Sequence, residues 1–67
     1  MMTTTYMVTG MTCAHCVASV REEIGEINGV DRVDVTLDTG AVEITSTRTL
    51  DRAEVEAAVA EAGYQLT

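Results

Sequence analysis

Residues 6–20 read Tyr-Met-Val-Thr-Gly-Met-Thr-Cys-Ala-His-Cys-Val-Ala-Ser-Val, and the hydropathic period changes inside that stretch. Up to Gly10 the period is two. Tyr6 and Val8 alternate with Met7 and Thr9 behind a Thr-rich start, which predicts a strand ending at Gly10. From Cys16 and Val17 through Val20, Ile24 and Ile27, apolar positions recur every three or four residues, with Arg21, Glu22, Glu23 and Glu26 mostly on the other face. That spacing predicts an amphipathic helix.

Working outward, Asn28-Gly29 supplies a pair tolerant of positive φ where the helix must stop. Val33, Val35 and Leu37 then alternate with Arg32, Asp34 and Thr36 as a second strand. Asp38-Thr39-Gly40 is a turn signal, and Val42 and Ile44 alternate with Glu43 and Thr45, so strands two and three form a hairpin. Asp51 with Glu54 reads as a capping box, with Leu50 stapled onto Val55. Val55, Ala58, Val59 and Ala62 line one helical face, Gly63 caps it, and a last strand runs from Tyr64 to Leu66. The order is βαββαβ. This predicts an α+β, ferredoxin-like fold: a four-stranded antiparallel sheet with two helices on one face. Residues 1–67 form a single domain, since 67 residues hold only one small core.

The composition, 46% apolar and 22% charged with five Gly and no Pro, is that of a folding chain. A chain of this size buries only about 60% of its unfolded surface, so stability linked to a ligand is expected. Eleven acidic residues face four Arg and no Lys, a formal charge of −7. Nucleic acid and anionic membrane surfaces are therefore poor partners, because both need clustered cations. No apolar run is long enough to span a bilayer, and the start lacks a basic n-region and an apolar h-region. The expected compartment is the cytoplasm.

Folding alone does not require Gly10-Met11-Thr12-Cys13-Ala14-His15-Cys16, which holds both cysteines where strand one passes into helix one. At i and i+3 across a helix start, two sulfurs can face the same side. The first turn adds unpaired N–H groups and the positive dipole end, which favour thiolates. Thiolates bind soft ions, Cu(I) above all. Competing readings are an inert core pair, a disulfide closing a tiny loop, structural zinc, and dithiol redox chemistry. Zinc lacks a fourth ligand within the chain, and a thioredoxin-like site would come with a Pro and a Trp that are absent. His15 is either a third ligand or an exposed group that tunes the thiolates or bridges to a second molecule. Met11 is either a thioether ligand or an apolar anchor for the loop. Tyr64, in a loop expected beside the first, either covers the thiolates or is an ordinary aromatic at a strand start. No phosphate-binding loop or nucleophilic triad is present, so the chain does not read as an enzyme.

Gly10-Met11-Thr12-Cys13 to Cys16, the helix spacing through Val17, Val20 and Ile24, the Asn28-Gly29-Val30 turn and Ala62-Gly63-Tyr64 together resemble a heavy-metal-associated domain. The resemblance covers essentially the whole chain and is closest to the bacterial cytoplasmic copper chaperones of that family. It implies a βαββαβ fold in which Cys13 and Cys16 bind Cu(I) and pass it by ligand exchange to the metal-binding domain of a copper-transporting P-type ATPase. Under the resemblance Met11 becomes a buried loop anchor and Tyr64 shields the site or hydrogen-bonds to it. His15 matches a C-x-H-C variant associated with copper-bridged homodimers and higher clusters. Thr12 stands where zinc- and cadmium-handling relatives often place Asp, which favours Cu(I). The absence of Lys departs from many copper-carrying members. Mercury-binding relatives share the Met-Thr-Cys-x-x-Cys core and are usually periplasmic. A domain excised from the N-terminus of such an ATPase would carry the same fold and site, although a chain from Met1 to just past the last strand fits a free-standing protein.

Overall fold

The computed structural model describes all 67 residues. Its elements are β1 (Met2–Thr9), α1 (Ala14–Gly25), β2 (Val30–Thr36), β3 (Ala41–Ser46), α2 (Arg52–Glu61) and β4 (Gln65–Leu66). The strands form one antiparallel sheet in the order β2-β3-β1-β4. This is the ferredoxin-like arrangement expected from the sequence.

Alternation along the strands decides which face the helices cover. Register places Tyr6 opposite Val42 and Val8 opposite Leu66, while β2 sets Val33 opposite Ile44 and Val35 opposite Val42. These side chains share a core with Val20 and Ile24 of α1 and with Leu50, Val55, Ala58 and Val59. Ile24, Ile44, Val20, Val42, Val55 and Val59 are wholly buried, so the centre of the core is aliphatic, with Tyr6 and Tyr64 packed at its margin. At about 1.5–3 kcal/mol per fully buried side chain, this cluster is the main favourable term. The opposite face, with Thr3, Thr5, Thr9, Arg32, Asp34, Glu43 and Gln65, is exposed.

Several boundaries differ from the sequence reading. The Thr run is not a lead-in but part of β1, because Met2–Met7 pair with β3. Helix α1 begins at Ala14 and stops at Gly25, and Ile27 reaches the core half-buried from the turn that follows. Leu37 lies beyond β2 in a four-residue turn and is exposed, since Gly40 N–H closes that turn onto the Thr36 carbonyl at 2.9 Å. Asp51 occupies the N-cap of α2, but its side chain caps nothing. The capping box is not formed, because Glu54 binds Arg48 at 2.9 Å instead. Arg48 also donates to the Asn28 carbonyl at 2.7 Å and the Thr49 carbonyl at 3.2 Å, tying together the two loops at the end of the sheet where β1 begins.

At the other end, the β2–β3 turn presses against β1. Gly40 has φ +78°, and a Cβ there would stand 2.6 Å from the Val8 carbonyl oxygen. Val8 N–H in turn donates to the Gly40 carbonyl at 2.9 Å. This contact fixes where β1 ends and therefore where the loop to α1 starts.

Candidate metal centre

The loop leaves β1 through Gly10, whose φ is +96°. A Cβ at this position would lie 3.1 Å from Cδ1 of Tyr64, so the glycine lets the ring lie against the loop. Met11 then turns inward, half-buried against the core. Cys13 is the N-cap of α1, with extended backbone (φ −156°, ψ 170°), and its carbonyl accepts the Val17 N–H at 3.2 Å. Its side chain makes no capping bond and stays free for other chemistry. Cys16 follows three residues later in the first helical turn.

That spacing brings the sulfurs within 3.3 Å of each other. Both cysteines are free thiols; Cys13 is exposed and Cys16 half-exposed. Three kinds of donor converge on Cys16 and lower its thiol pKa from 9.0 to about 6. The largest effect comes from the backbone amide of Thr12, followed by the Tyr64 hydroxyl and the Cys13 thiol. Partial desolvation works in the opposite direction, and the Thr12 hydroxyl, 3.9 Å from the sulfur, adds a smaller lowering. Tyr64 shows the reciprocal effect: its ionisation is pushed up by hydrogen bonding to Cys16, then by desolvation and the cysteine charges. Hydrogen bonds to the charged form favour that form, so the Cys16 thiol is shifted toward the thiolate.

Thr12 was not singled out as a donor by the sequence. Its contribution comes mainly from a backbone N–H whose direction depends on the loop, and only the motif's position at a helix start hinted at such donors. His15 is exposed, and its carbonyl accepts the Ser19 hydroxyl at 3.2 Å. No group of three or more His, Cys, Asp or Glu side chains is assembled in the chain, so His15 does not join the two sulfurs in a ready-made site. The surface hollows also lie off the sulfurs. One, of about 260 Å³, is lined by Ser19, Glu22, Glu23, Glu61 and Ala62, and the other lies between α2 and β4. Two accessible sulfurs, one of them with a lowered thiol pKa, therefore make a shallow dithiol pair suited to a soft ion of low coordination number.

A family model described as "Heavy-metal-associated domain" matches residues 5–65. The "COP-associated protein" of Helicobacter felis is 37% identical over 59 residues, covering 88% of this chain and 89% of that protein. "Copper chaperone CopZ" of Enterococcus hirae is 38% identical over 65 residues, covering 90% of this chain and 88% of that protein. Among solved structures, a "CopZ metallochaperone" superposes with a TM-score of 0.91 at 27% identity, covering 98% of this chain and 100% of that one. Similarity extends to the "Mercuric transport protein periplasmic component" of Pseudomonas aeruginosa, 39% identical over 92% of this chain and 69% of that protein. It also reaches "Copper-transporting ATPase 1" of Rhizobium meliloti, 37% identical over 88% of this chain but only 7% of that protein.

Proposed function

The chain belongs to the heavy-metal-associated domain family, homologous to copper chaperones and to metal-binding domains of P-type ATPases, and from that premise we propose that it is a Cu(I) metallochaperone. Cys13 and Cys16 hold the ion through both sulfurs and deliver it to the metal-binding domain of a copper-transporting P-type ATPase. The observation that carries this reading is the pair of accessible sulfurs 3.3 Å apart at the start of α1, with the Thr12 hydroxyl 3.9 Å from Cys16. A thiol shifted toward the thiolate gives up its proton more readily as it takes a soft cation.

Delivery is an exchange of bonds. An incoming cysteine thiolate of the partner domain adds to Cu(I), giving a three-coordinate ion, and one sulfur of the chaperone then leaves. A second exchange completes the transfer with no change of oxidation state. Cys13, exposed at the helix cap, is the sulfur open to attack, whereas Cys16 is held within the first turn. Nothing is made or broken except metal–sulfur bonds, so the role is binding and transfer rather than catalysis. Met11 anchors the loop and Tyr64 steadies Cys16. His15 is available to a copper-bridged second molecule. No helix is long and apolar enough to cross a membrane. We place the protein in the cytoplasm, where reducing conditions keep both thiols free.

The test is an anaerobic titration of reduced protein with Cu(I) against a chromophoric chelator, with elution volume followed on a sizing column. Tight binding of one equivalent that is lost in Cys13→Ser/Cys16→Ser supports the reading, and His15→Ala should keep that equivalent. Preference for Hg(II) over Cu(I) in the same competition would move the assignment toward the mercuric relatives. Retention of tight Cu(I) binding by the double variant would overturn the site.

A further inference from the structure

No further inference is drawn: the strongest candidate, the surface hollow of about 260 Å³ between α1 and α2, is a cluster of the acidic side chains Glu22, Glu23 and Glu61, and nothing in the structure shows what it would hold.

Discussion

Replacing Tyr64 by Phe removes one oxygen from the site and tests how the thiolate is held. With its pKa lowered from 9.0 to about 6, Cys16 carries about ten thiolates per thiol at pH 7, against about one per hundred for an ordinary cysteine. The Thr12 amide is the largest contributor and Tyr64 the next. Tyr64→Phe should therefore raise the midpoint while leaving it well below 9.0. Thiolate absorbance near 240 nm, recorded against pH on reduced, metal-free protein, reads this directly. Wild type should show a step near pH 6 belonging to the sulfur pair. The step should move upward in Tyr64→Phe and vanish in Cys16→Ser. A wild-type protein with no step below about pH 8, or a step that survives in Cys16→Ser, would refute the donor arrangement. The linkage has a definite sign. A lowered pKa in the folded state adds stability that is fully present above 9.0 and is lost as pH falls toward 6, so the reduced apo protein should unfold more easily at the acid end of that window. Glu23 acts elsewhere. Desolvation, then Glu26, Glu61 and Glu22, raise its pKa above 4.5, so its contribution is present below 4.5 and is lost as pH rises through the raised value.

Gly40→Ala meets a backbone oxygen at 2.6 Å in a left-handed conformation. Together with strain on the Val8–Gly40 and Gly40–Thr36 hydrogen bonds, this should cost about 3 kcal/mol, read from the urea midpoint; a loss under about 1 kcal/mol would mean that the turn yields easily. Gly10→Ala crowds the Tyr64 ring at 3.1 Å, so it should cost about 1–2 kcal/mol and also shift the thiolate step upward as Tyr64→Phe does. Arg48→Ala removes bonds to Asn28, Thr49 and Glu54 and should cost about 1–2 kcal/mol, little of it from the half-exposed ion pair, while Cu(I) affinity stays unchanged.

The strands were readable because Val33, Val35, Val42 and Ile44 keep strict alternation, and α2 because Val55, Ala58 and Val59 recur on one face before Gly63. Gly63 and Tyr64 close that helix as the spacing suggested, their N–H groups reaching the Ala60 carbonyl at 2.9 Å and the Val59 carbonyl at 3.0 Å. The Asp51–Glu54 pair misled because local spacing cannot show that Glu54 has a distant competitor in Arg48. Leu37 extended an alternation that a turn bond from Gly40 to Thr36 had already ended. At the site, Cys13 and Cys16 stood out by residue type and spacing. Thr12 did not, because its largest contribution comes from a backbone amide. Tyr64 supports two readings in the sequence, because nothing local shows that Gly10 lets its ring lie beside the loop.

Tyr64 joins two parts of the molecule that are far apart in sequence. Its amide closes the last turn of α2 on Val59, which is wholly buried, while its hydroxyl acts on Cys16. Fraying at the end of α2 must then cost the sulfur part of its stabilisation. By reciprocity, a charge settled on that sulfur must slow the fraying. Hydrogen exchange at the Tyr64 amide thus becomes a remote reporter of the thiolate, slower at pH 8 than the intrinsic rate alone would give and faster once Cys16 is removed. The C-terminal helix cap, an element of ordinary fold grammar, works here as a damper on the reactivity of a residue 48 positions earlier in the chain.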